Sequence, residues 1–218
     1  MLVVLHIVAG GLALLAGSIS FATKKGAPVH RKAGQVFIVS MVFMSLSGAW
    51  LALLNNELLN IVAGLVTFYL VCTAFIAARS KTLKLSLNNL LLALFGFTVG
   101  TFALSKGYLL LSQGISEVDG NPTQVMIVFG AIALLAALAD AYHLKVQKLS
   151  YKARLIRHSW RVGIAMFFAT ASFFLGQAQV FPEALRVPML LVPPVLLSLL
   201  LTAYWVIRVK FWGLNQRV

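Results

Sequence analysis

Seven apolar stretches, each long enough to cross a lipid bilayer, constrain this chain more than any other feature. They run over residues 2–22, 34–54, 58–78, 87–111, 123–143, 159–180 and 188–210. A helix needs about 20 residues to cross the hydrocarbon core. Lipid offers no partner for a free backbone N–H or C=O, so a spanning segment is either a helix or a strand of a closed barrel. These stretches are continuously apolar and lack the in–out alternation of barrel strands. The fold class expected is an all-α integral membrane protein, a seven-transmembrane-helix bundle forming one domain over residues 1–218. Composition agrees. Of 218 residues, 61% are hydrophobic and 11% charged, against roughly 45–50% and about 25% in soluble domains. A water-soluble core of this size could not hide that excess.

The connections set an orientation. Lys24, Lys25, Arg31 and Lys32 lie in the first, Arg79, Lys81 and Lys84 in the third, and Lys145, Lys148, Lys152, Arg154 and Arg157 in the fifth. Arg208, Lys210 and Arg217 close the chain. The alternate connections carry Glu57, Glu117, Asp119 and Glu183, with Arg186 as their basic residue. The positive-inside rule places the first set in the cytoplasm, which puts the N-terminus outside and the C-terminus inside. Residues 2–22 follow no basic segment and end at Lys24 and Lys25, the reverse of a cleaved signal, so they read as a retained first helix. The net charge of +13 is spread over these loops and accompanies no nucleic-acid-binding motif, so nucleic acid is excluded as a partner. Cys72 is the single cysteine and sits in an apolar run, which rules out a disulfide framework within one chain.

Within the spans, Gly96 and Gly100 form a GxxxG spacing that suits close helix packing. Pro193 and Pro194 remove two ladder hydrogen bonds and are expected to kink the last helix. Asp140 is the one acidic residue inside an apolar run. A carboxylate there costs about 2.5–3.5 kcal/mol on insertion scales unless partnered, which makes it a functional-site candidate. His143 follows three residues later, on the same helix face. His30 and His158 open their helices at the same membrane face. Three imidazoles and one carboxylate at similar depth constitute a plausible tetrahedral shell for Zn²⁺, so the candidate metal ligands are His30, Asp140, His143 and His158. The competing readings are interfacial histidines without metal, Asp140 paired with Arg157 or Arg161, and ligation of haem b. His6 lies about 20 Å or more from that set by helix rise, and a hydrogen bond to Gln177 or Gln179 is its expected role.

Five short runs of sequence carry a resemblance. His6-Ile7-Val8-Ala9-Gly10, Leu12 to Gly17, and His30-Arg31-Lys32-Ala33-Gly34 resemble the opening of the bacterial domain-of-unknown-function 2306 family. Asp140-Ala141-Tyr142-His143 followed by Arg157-His158-Ser159-Trp160-Arg161 is similar to its second half. The resemblance implies a predicted bacterial membrane protein and supplies no activity; the expected location is the bacterial inner membrane.

The function expected is a zinc-binding integral membrane protein with its metal at the cytoplasmic end of the bundle. The metal is structural, or hydrolytic toward a lipid-like substrate if a coordination position is open. The alternatives are a haem b electron carrier and a transporter or sensor without bound metal. Membrane lipids are the expected surroundings, and a homo-oligomer stays open.

Overall fold

A computed structural model describes residues 1–80, 86–147 and 149–213. Among them are seven long helices, each apolar enough to span a bilayer: α1 (Leu2–Ala22), α2 (Pro28–Leu54), α3 (Leu58–Arg79), α4 (Leu87–Ser112), α5 (Gln124–Val146), α6 (Tyr151–Ala171) and α7 (Pro188–Trp212). The chain is an integral membrane helical bundle. Lys81, Lys84, Lys148 and Arg217, named above as loop charges, lie outside the described residues.

Local chemistry sets the ends of these helices. Pro28 occupies the first turn of α2, where a missing N–H costs nothing. Ser86 and Ser150 cap α4 and α6 by accepting from Asn89 N and Ala153 N. Asp119 caps α3 from a distant loop, its Oδ2 accepting from Leu59 N at 2.6 Å. That carboxylate sits on a two-residue turn, Asp119 (φ 52°) and Gly120 (φ 70°), which joins β1 (Glu117–Val118) to β2 (Asn121–Pro122). Asp-Gly is the preferred pair for such a turn because both residues take positive φ.

α3 is the centre of the bundle. It packs against α2, α4, α5 and α6, while α1 lies on α2 and α6, and α7 lies on α6. One core joins α3, α4 and α5 through Val66, Tyr69, Val99, Met126 and Ala133. A second joins α1, α2 and α6 through Ala13, Phe37, Met41, Ala165 and Met166. Glycine makes the α4–α5 approach possible: a Cβ on Gly100 would lie 2.7 Å from Leu134 N, and one on Gly130 2.7 Å from Leu104 N. Gly96 leaves room instead for the ring of Tyr69. Large apolar side chains such as Leu15, Phe43, Leu135 and Leu200 point outward. So broad an apolar surface suits lipid and would aggregate in water.

Two spans differ from the hydropathy reading. α2 starts at Pro28 and α6 at Tyr151, before the apolar runs begin. The added turns carry His30, Arg154, Arg157 and His158. Hydropathy truncates them because it averages around the helix, whereas Arg157 is directed into the protein and not into lipid. α6 also stops early, passing at Ala171 into a π turn over Ser172–Gly176. α7 runs unbroken through Pro193 and Pro194.

Candidate functional site

The end of the bundle that carries the basic connections is called the basic end below. Asp140 lies there, opposite Arg157 and Arg161 of the neighbouring α6, and is 2% exposed. Arg157 and Arg161 are four residues apart on α6 and so share one face. Both point at Asp140. Arg161 donates from Nη2 to Oδ1 at 2.6 Å and from Nη1 to Oδ2 at 3.0 Å, a bidentate pair. Arg157 donates from Nε to Oδ1 at 3.1 Å, with Nη2 3.0 Å from the same oxygen. The Tyr69 hydroxyl of α3 donates to Oδ2 at 2.6 Å. Arg161 Nη2 also donates to the Ala136 carbonyl at 2.9 Å. Arg157 is 4% exposed, and Arg161 and Tyr69 are 0% exposed, so the group is dry as well as crowded.

This arrangement overturns the zinc site. Among the described residues, no three His, Cys, Asp or Glu side chains come together closely enough to hold a metal ion. The four expected ligands, His30, Asp140, His143 and His158, therefore do not form one metal-holding group. Both oxygens of Asp140 are filled by arginine and tyrosine donors. His30 Nδ1 meets the Ser20 carbonyl of α1 at 3.1 Å. His158 Nδ1 meets the Ala74 carbonyl of α3 at 3.1 Å. A carbonyl only accepts, so Nδ1 carries the proton in both rings. His143 is half-buried on α5 and sets its ring edge-on to Tyr142, centroids 5.6 Å apart. The haem alternative drew on the same histidines, whose contacts here are to protein atoms.

His6 also differs from expectation. Its Nδ1 lies 3.0 Å from Ser47 Oγ of α2, over Gly48, where a Cβ would sit 3.0 Å from the ring. Gln177 and Gln179 bond to each other instead. Tyr69 was missed altogether. Its signal was present in the sequence: a tyrosine in mid-span, away from either interface, has a hydroxyl that needs a buried partner.

The electrostatic balance of the cluster is uneven. Two guanidiniums face one carboxylate, which leaves one positive charge over. Among the described residues, Arg157 Nη1, Arg161 Nε and, one turn nearer the basic end, Arg154 Nε are buried and meet no acceptor. α6 adds to the imbalance, because its N-terminus, the positive end of the helix dipole, has no acidic residue in its first turn. No compensation is at hand elsewhere in the sequence. Of its five acidic residues, Glu57, Glu117, Asp119 and Glu183 belong to the connections at the far end. An uncompensated buried charge costs several kcal/mol, so the cluster is built to receive an anion or tolerates strain. As chemistry, paired guanidiniums suit carboxylate and phosphate, whose oxygens match their fork.

No match was found among curated proteins or among solved structures. A family model described as "Predicted membrane protein (DUF2306)" matches residues 3–143. The match takes in Tyr69, Asp140 and His143 and ends before Arg157, so the two arginine partners of the carboxylate lie beyond it. It spans well over half of the chain, which therefore belongs to the DUF2306 family of predicted membrane proteins.

Proposed function

We propose that this protein binds the acidic group of a lipid-soluble organic acid, a carboxylate or a phosphate, at the arginine cluster between α5 and α6. The observation that carries the reading is the charge imbalance: two buried guanidiniums share one carboxylate, and donors on Arg157 and Arg161 meet no acceptor among the described residues. Asp140 and Tyr69 hold the pair of arginines in place, and the ligand's anion supplies the missing negative charge. The half-buried ring of His143, one turn along α5 from Asp140, stands on the side from which a headgroup would enter. The distribution of basic loops supports an orientation with this end in the cytoplasm and the N-terminus outside. The family resemblance supports a bacterial inner membrane as the location. The ligand would then come from the inner leaflet or the cytoplasm.

The test uses the single cysteine. Cys72 is half-buried in α3, so a thiol-reactive dye reports unfolding of the detergent-purified protein. A long-chain carboxylic acid, an alkyl phosphate and a neutral alcohol of the same chain length are compared. At a hundredfold excess over its dissociation constant, a ligand specific for the folded state stabilises by about 2.7 kcal/mol. Acids should raise the unfolding midpoint, the alcohol should not, and Arg157→Gln should remove the response. Equal responses in wild type and Arg157→Gln, or none to any acid, would show that the cluster is a structural clamp.

A further inference from the structure

A second set of basic side chains lies at the same end, where the residues that follow α1 meet α7. Lys25 lies three residues past the end of α1 and is half-buried. Its Nζ donates to the Ser20 carbonyl at 2.6 Å and the Phe21 carbonyl at 3.0 Å. It also sits 4.1 Å from the centroid of the Trp205 ring on α7. Arg208, one turn nearer the end of α7 and exposed, places its guanidinium 5.4 Å from the same ring and bonds to the Tyr204 hydroxyl. Two cations thus converge on one indole. The carbonyls and the ring offset part of their charge, but the acidic residues lie elsewhere: four at the far end and Asp140 already paired. Burial pushes the Lys25 amine down to about 8, because desolvation disfavours the charged form.

The depth of this site narrows the partner. Lys25 lies just past Ala22, where α1 ends, and Arg208 lies one turn before Trp212, where α7 ends. Indole and tyrosine rings favour the headgroup level of a bilayer, and basic pockets between membrane helices at that level receive anionic headgroups. We propose that Lys25, Trp205 and Arg208 form a binding site for the phosphate of an anionic phospholipid at the seam between α1 and α7. The lipid phosphate pairs with the ammonium and the guanidinium, while its glycerol end lies along the indole. This site shares no residue with the Asp140 cluster and does not depend on it.

The full-length protein is reconstituted into nanodiscs of phosphatidylcholine alone, or of phosphatidylcholine mixed with phosphatidylglycerol. Acylation of Lys25 and of its neighbour Lys24 is followed against pH by peptide mass spectrometry. Lys24 reports the general surface potential, which shifts every amine at an anionic membrane. In phosphatidylcholine, Lys25 should titrate near pH 8. Phosphatidylglycerol should raise its midpoint beyond the rise seen at Lys24 by about one unit, which at pH 8 reduces acylation roughly fivefold. Arg208→Gln should lose that excess and Arg208→Lys should keep most of it. A rise at Lys25 no larger than at Lys24, or an excess that survives Arg208→Gln, would overturn the site. Inorganic phosphate added to the phosphatidylcholine discs should leave Lys25 unchanged, and a shift there would overturn the lipid as its partner.

Discussion

Replacing Asp140 by asparagine removes one negative charge and almost no volume, so its effect isolates the electrostatic role of the carboxylate. Both oxygens accept from arginine: Oδ1 from Arg157 and Arg161, and Oδ2 from Arg161 and Tyr69. The amide nitrogen of asparagine would face a guanidinium donor in either flip, and two buried arginines would be left without a counter-charge. Breaking a buried ion pair by removing one partner costs about 3–5 kcal/mol. For a chain of this length each kcal/mol corresponds to roughly 2–4 °C in the midpoint, which gives a fall of about 6–20 °C. Dye labelling of Cys72 during a thermal ramp reads that fall. Adding Arg157→Gln to the Asp140→Asn variant removes one of the stranded charges and should recover part of the loss. A midpoint within about 2 °C of wild type, or a double variant worse than the sum of its parts, would refute the assignment of Asp140 as the counter-charge of both arginines.

Tyr69→Phe deletes the hydroxyl and leaves the ring against Gly96. It should cost about 1.5–3 kcal/mol, the range for a hydrogen bond to a charged group, in the same thermal assay. The stability of the folded protein should depend on pH through Lys25. Its folded-state value of about 8 lies below its ordinary 10.5, so the penalty is fully present below pH 8 and is relieved as pH rises from there towards 10.5. The stability difference between wild type and Lys25→Met, followed from pH 7 to pH 10 in neutral detergent, should shift in favour of wild type; a flat difference would contradict the burial of that amine. In a Cys72→Ser background, membrane-impermeant thiol reagents applied to whole cells should label Glu117→Cys and leave Lys145→Cys protected, and the reverse pattern would invert the proposed orientation.

Much of this architecture could be read from the chain alone, because lipid imposes one dominant rule on backbone and side chain alike. Seven apolar runs yield seven spanning helices, and the one carboxylate within them, Asp140, proves to be the centre of the buried polar group. Hydropathy and loop charge specify the depth of a residue, however, and say little about its direction around the helix. His30, His143, His158 and Asp140 share a depth, and on that ground a metal site was expected. Direction separates them: His30 turns to α1, His158 to α3 and Asp140 to α6. The pairing of Asp140 with Arg157 and Arg161 was among the readings the sequence left open, and the four-residue spacing of the arginines was its visible sign. The mid-span hydroxyl of Tyr69 signals a need for a buried partner, but nothing in the sequence says which residue that partner is. The start of α6 was misplaced for a related reason, since averaging over a window cannot distinguish an arginine that faces lipid from one that faces a carboxylate.

The central claim is that the surplus charge of the arginine cluster is met by an acidic ligand. Native mass spectrometry of gently extracted protein tests it most directly, carried out in an Arg208→Gln background so that the lipid site at the α1–α7 seam does not contribute. The account predicts an acidic molecule retained by the protein and lost when Arg157 is also replaced by glutamine, with neutral lipid adducts unchanged. Protein that carries no acidic molecule, or that keeps it equally well without Arg157, would contradict the claim and leave the cluster as a clamp between α3, α5 and α6.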